Sequence, residues 1–161
     1  MDKVREYVAS GFQNVETFKS DVETLLAGGA SIDEFDNYGT NPLLTLSFKG
    51  SLDDVQFIVS KGANLDVVDN WGYTALFASL LDNKIDQSRF LIDNGVNINY
   101  LDSRGNTYLD YCLSFGSVPH LDLGLYLYNM KAISSKFSAI DIMRKLNKIV
   151  VVEPVVEPST E

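Results

Sequence analysis

Asp36-Asn37-Tyr38-Gly39, Asp69-Asn70-Trp71-Gly72 and Asp102-Ser103-Arg104-Gly105 repeat one phrase, each copy 33 residues after the last. A second set keeps the same step of 33: Gly29-Ala30-Ser31, Gly62-Ala63-Asn64 and Gly95-Val96-Asn97. A fixed period of this length marks stacked supersecondary units, none of which buries its apolar face alone. Between the two phrases the chain predicts a helical hairpin. After Gly39 comes Thr40-Asn41-Pro42-Leu43, with Pro42 in the first helical turn, where its missing N–H costs nothing. That helix ends near Gly50. A second runs from Leu52 to Ser60, with Leu52, Val55, Phe57 and Ile58 inward, and Gly62 closes it. The next unit reads Gly72-Tyr73-Thr74-Ala75-Leu76, a turn at Asn83, a helix from Ile85 to Ile92, then Gly95. Asn83 replaces Gly50, as asparagine also tolerates the left-handed conformation. The third unit turns at Gly116 and starts its second helix near Pro119. It then drifts, with Tyr128-Asn129-Met130-Lys131 where a closing Gly-Ala is expected.

These residues resemble the ankyrin repeat. The resemblance rests on Asp-x-x-Gly-x-Thr-Pro-Leu, a glycine eleven residues after the first, and a helix closing in Gly-Ala-Asn. The stretch from Gly50 to Asn64 aligns with the family's pattern without a gap. It is clear from Gly28 to Gly116. It implies an all-α solenoid of helix-turn-helix units with short β-hairpin-like turns, plus N- and C-terminal capping helices. Departures stand at Asn41 (threonine in the family), at Leu44, Phe77 and Asp110 (histidine) and at Ser88 (valine). They predict altered hydrogen bonding and packing between repeats.

The flanks read as caps. Val4, Tyr7 and Val8 share a face of a first short helix that Gly11 ends. Asn14 caps a second, from about Val15 to Ala27, with Phe18, Val22, Leu25 and Leu26 inward. At the other end a helix from Ser135 to Lys148 is expected. Phe137, Ile140, Met143, Leu146 and Ile149 form its apolar face, with Lys136, Arg144, Lys145 and Lys148 left to solvent. The predicted organisation is one domain over 1–149: a cap at 1–35, repeats at 36–68 and 69–101, a divergent repeat at 102–131 and a capping helix at 132–149. A disordered tail is expected at 150–161.

At 45% hydrophobic and 22% charged, the composition is that of a globular domain with a continuous core. No apolar run approaches a membrane span, Met1 to Glu6 lacks a secretion signal's apolar core, and Cys112 is the lone cysteine. A reducing, cytoplasmic setting is therefore expected. The formal charge of −9 is unevenly spread: residues 129–150 hold 5 basic and 1 acidic side chain, while 36–128 hold 5 and 11. The acidic body would be repelled by nucleic acid phosphates and anionic membranes, so a protein partner with a basic surface is expected.

No catalytic constellation is found. His120 and Cys112 are the only residues of their types, and Cys112 falls at a small buried position of an inner helix. Asp36, Asp69 and Asp102 recur at a turn position, where aspartate satisfies backbone N–H groups. No phosphate loop, EF-hand or metal cluster is present, so no enzyme activity, cofactor or small-molecule substrate is expected.

The resemblance implies that partner contacts come from the turn tips and the exposed side of the inner helices. The matching tip positions are Asn37, Tyr38, Thr40, Asn70, Trp71, Tyr73, Ser103, Arg104 and Asn106. The inner-helix ends supply Phe48, Lys49, Leu81, Asp82, Ser114 and Phe115, and Phe35, Val68 and Leu101 precede the turn aspartates. A turn tip needs no large aromatic, whereas interfaces are enriched in Trp, Tyr and Arg. Tyr38, Thr40, Phe48, Asn70, Trp71, Tyr73, Leu81, Asp82, Arg104, Asn106 and Phe115 are therefore the predicted partner-binding residues, on one concave face. Phe35 is expected to serve packing. Size and charge suggest a dedicated inhibitor, immunity- or antitoxin-like or an antagonist from a phage or pathogen. The alternative is a scaffold acting through the C-terminal helix or tail.

Overall fold

The computed structural model describes residues 18–35 and 38–150. The expected helix at Val4, Tyr7 and Val8, its end at Gly11, the cap at Asn14, Val15, turn residues Asp36 and Asn37, and the tail from 151 lie outside them. So do the side chains of Lys148 and Ile149. All regular structure among the described residues is helical, in two compact units, Met1–Asn97 and Ile98–Glu161.

In the first unit, α1 (Phe18–Ala27) precedes two helical hairpins, α2 (Pro42–Lys49) with α3 (Leu52–Ser60) and α4 (Ala75–Leu81) with α5 (Ile85–Asp93). α2 packs on α3 and α4, and α5 on α3 and α4. Leu43, Leu44, Leu46, Ile58, Leu76, Leu80 and Leu91 are fully buried between them. Each such side chain contributes about 1.5–3 kcal/mol. Helices this short need their ends satisfied. Asn41 Oδ1 accepts from Leu44 N at 2.9 Å, so the asparagine at this departure supplies the helix cap itself. Thr74 caps α4, and Ser51 with Asp54 makes a reciprocal capping box on α3. Lys84, before α5, makes no side-chain cap. Its ammonium instead reaches the carbonyls ending α2, Phe48 O at 2.6 Å and Gly50 O at 3.2 Å. The Ser88 departure is also answered, because buried Ser88 and Ser79 share a 2.8 Å hydroxyl contact.

One expectation is corrected here. Asn83 is left-handed (φ 55°), but Gly50 is extended (φ −83°, ψ 171°), so the two are not conformational equivalents. Gly50 is required by crowding. A Cβ there would meet Leu46 Cδ2 at 2.8 Å and Leu46 O at 2.9 Å.

Successive loops are joined by a polar rung repeating at the period. Asp33 accepts from Asn64 N at 3.0 Å, and Asp66 from Asn97 N at 2.7 Å.

The second unit pairs α6 (Tyr108–Phe115) with α7 (Val118–Asn129), and α8 (Ala139–Val150) packs on both. α6 and α7 cross closely at Gly124, where a Cβ would lie 3.2 Å from Cys112 Cβ. The drift of this repeat has a simple cause. α7 has 12 residues where α3 and α5 have 9. The closing pair is therefore shifted by three, to Lys131-Ala132. Lys131 takes the left-handed conformation (φ 67°), and Ala132 N bonds Leu127 O as Ala63 N bonds Ile58 O. The polar rung shifts with it, Ile133 N donating to Asn99 Oδ1 at 2.9 Å.

The C-terminal helix starts at Ala139, not Ser135, because the preceding loop is drawn onto Asp110. That carboxylate, which forms a capping box with Thr107, also accepts from the Ser134 hydroxyl, from Ser135 Oγ at 2.6 Å and from Lys136 N at 3.3 Å. The buried face of α8 also differs from the expected one. Ile142 and Leu146, one turn apart, are buried, while Ile140 (65%) and Met143 (48%) are exposed. Lys145, expected in solvent, lies over the Phe137 ring and donates to Leu113 O at 3.2 Å.

Candidate partner-binding surface

Each described turn is closed by its aspartate. Asp69 Oδ1 accepts from Trp71 N at 2.9 Å and Tyr73 N at 2.8 Å, and Asp69 N donates to Tyr73 O at 3.0 Å. Asp102 repeats the pattern with Arg104 N and Asn106 N, both at 2.8 Å. Burial disfavours the charge of Asp102, but hydrogen bonds from Tyr111, Asn106 and Arg104 outweigh it and hold the carboxyl below its usual range. These aspartates are fully used by the fold. What they hold outward is the pair of residues after them.

In the first unit, adjacent tips are tied by Asn70 N donating to Tyr38 O at 2.9 Å. The Tyr38 and Trp71 rings then stack, with centroids 5.2 Å apart and planes at 22°. Even stacked, they remain 58% and 59% exposed. Tyr73 lies deeper, stacked on Phe77 at 5.2 Å and edge-on to Phe48 at 6.1 Å. Thr40, Thr45, Phe48, Lys49, Trp71 and Tyr73 border one cleft of about 330 Å³. Four predicted residues thus share a cleft, and Tyr38 continues it through Trp71. Leu81 and Asp82 do not line it. Leu81 is exposed at the end of α4, and Asp82 pairs with Lys84 at 3.2 Å. Phe35, expected to pack, is half exposed.

In the second unit, Arg104, Asn106 and Phe115 line a separate cleft of about 300 Å³ together with Asp110, Tyr111, Ser114 and Lys136. Asn106 is not a surface residue. It is 7% exposed, and its Nδ2 is tied to Asp102 at 3.1 Å and to Tyr111 at 3.2 Å. The Tyr111 hydroxyl donates to Asp102 at 2.5 Å, and burial plus that bond pushes its pKa up.

Neither candidate nucleophilic group is poised for chemistry. Cys112 is buried, and desolvation pushes its thiol up to about 12. His120 Nδ1 is 2.6 Å from Ser117 Oγ, and its ring meets the Phe115 edge at 4.8 Å. Among the described residues no group of three potential ligands gathers to hold a metal ion. None of their helices is long and apolar enough to cross a membrane.

With helical hairpins and aspartate-closed turns in place, the family model for ankyrin repeats (3 copies) matches residues 47–136, more than half of the chain. The chain belongs to the ankyrin repeat family. A comparison with curated proteins gives no match. Ankyrin repeats are in general protein–protein interaction modules, and such domains are typically non-catalytic. Within this ankyrin fold, reading the sequence alone missed Lys136 as a neighbour of Arg104. Nothing local signals it, because Asp110, 26 residues earlier, is what brings the Lys136 loop to the cleft.

Proposed function

We propose that this ankyrin protein binds a protein partner through the first unit, with the Tyr38–Trp71 stack and the Phe48–Tyr73 cleft as its anchor. The observation that carries this is the exposed stack. Two rings totalling a large apolar area stand over half in water, at positions where the turn itself requires no aromatic. Asn70, Trp71, Tyr73, Thr40 and Phe48 form the contact surface, and Leu81 and Asp82 contribute at its margin. Residues 1–97 hold 7 basic and 15 acidic side chains, which suits a partner with a basic surface, steered in by charge. A dedicated inhibitor in the cytoplasm fits an acidic binding module of this kind. The partner is to be captured on the tagged protein and identified by mass spectrometry. Trp71→Ala and Tyr38→Ala should then each cost about 2 kcal/mol or more of affinity by calorimetry. Unchanged affinity with an intact circular dichroism spectrum sinks the reading.

A scaffold role through the C-terminal helix has one observation of its own, the exposed Ile140 and Met143 on α8. Under that reading Ile140→Ser with Met143→Ser abolishes capture of the partner, while Trp71→Ala does not.

A further inference from the structure

We propose that the cleft of the second unit takes a carboxylate side chain of a partner protein, a glutamate or aspartate next to an apolar residue. The proposal rests on the reading of the chain as a protein-binding module, but not on the Trp71 surface. Four observations carry it. First, Arg104 and Lys136 both line the cleft and are exposed, and neither forms an ion pair with a described residue. Second, the carboxylates beside them are already engaged. Asp110 is buried and accepts from Thr107, Ser134, Ser135 and Lys136, while Asp102 accepts from Arg104 N, Asn106 and Tyr111. Both carboxylates keep their charge, but neutral donors take up their oxygens, so neither cation's side-chain N–H groups are held by them. A guanidinium with an ammonium in one cleft therefore offers directed donors to a further carboxylate.

Third, Asn106 lines the cleft as a fixed polar wall, its amide nitrogen tied to Asp102 at 3.1 Å and to Tyr111 at 3.2 Å. The exposed Phe115 ring offers an apolar wall for the neighbouring residue. Fourth, residues 98–161 hold 6 basic and 7 acidic side chains, against 7 and 15 in residues 1–97. An anion is therefore repelled least here. A nucleic acid backbone is disfavoured, since two cations do not make a phosphate-tracking surface.

The test uses the whole 161-residue chain, 15N-labelled, titrated with acetyl-Phe-Glu-amide and followed by NMR. The Glu peptide should shift the Asn106 side-chain amide and the Arg104 and Lys136 backbone amides, at least about tenfold more tightly than acetyl-Phe-Gln-amide. Arg104→Ala with Lys136→Ala, two exposed side chains the fold does not use, should remove the response. Trp71→Ala should leave it intact, so failure here and failure of the Trp71 surface are separate results. Equal binding of the Gln peptide, no response, or an unchanged response in the double variant overturns the proposal. So does inorganic phosphate binding as tightly as the Glu peptide, which would make this a general anion site.

Discussion

Gly50 and Asn83 occupy the same place in successive repeats for opposite reasons. Asn83 has the positive φ that glycine would make easy, whereas Gly50 has an ordinary φ and no room for a Cβ. Gly→Ala usually stabilises at a compatible φ by restricting the unfolded chain. Here Gly50→Ala should instead cost about 1–3 kcal/mol, because the Leu46 carbonyl is backbone and cannot step aside. Asn83→Gly should change stability by no more than about 0.5 kcal/mol. Urea denaturation of the two variants checks the contrast, and a stabilising Gly50→Ala would refute the crowding argument. A sequence reading takes glycine as a sign of backbone freedom, and at Gly50 that inference points to the wrong cause.

Among the elements, the Asp110 clasp does most to set the second unit apart. Burial opposes ionisation of Asp110, yet hydrogen bonds from Ser134, Ser135 and Thr107 overcome it and lower the pKa from 3.8 to about 2. A depressed folded-state value means the clasp contributes fully above the unfolded pKa. Its contribution fades as pH falls from 3.8 towards 2. The size is about 2 kcal/mol. Asp110→Asn should lose that much at pH 7, and its stability should vary less than the parent's across the acid limb. Guanidinium melts at several pH values decide it. The starts of α2, α3, α5 and α7 were legible, because Pro42 suits a first turn and helical periodicity sets in at Leu52, at Ile85 and beside Pro119. The clasp was not. It joins residues 24 to 26 positions apart through serines that read as ordinary loop. The end of α7 was obscured for another reason, since Lys131 takes a backbone conformation that one looks for under glycine.

For the whole molecule, the charge is divided as unevenly as the aromatic surface. Residues 1–97 account for −8 of the formal −9. Capture of a basic partner by the first unit should therefore be steered. Raising salt from about 0.05 to 0.5 M should slow association by about tenfold or more and leave dissociation little changed. Stopped-flow mixing with the captured partner reads both rates, and a salt-independent association rate would remove the electrostatic part of the reading. The polar rungs bear on something else, how the chain tolerates changes of length. Asp33 reaches Asn64 and Asp66 reaches Asn97, so residues 65–97 contain one acceptor and one donor in matching phase. A tandem duplication of those 33 residues would bring its own complete rung and disturb neither neighbour. A shorter insertion keeps a rung only where the closing turn moves with it, as the three added residues of α7 do by carrying the donor to Ile133.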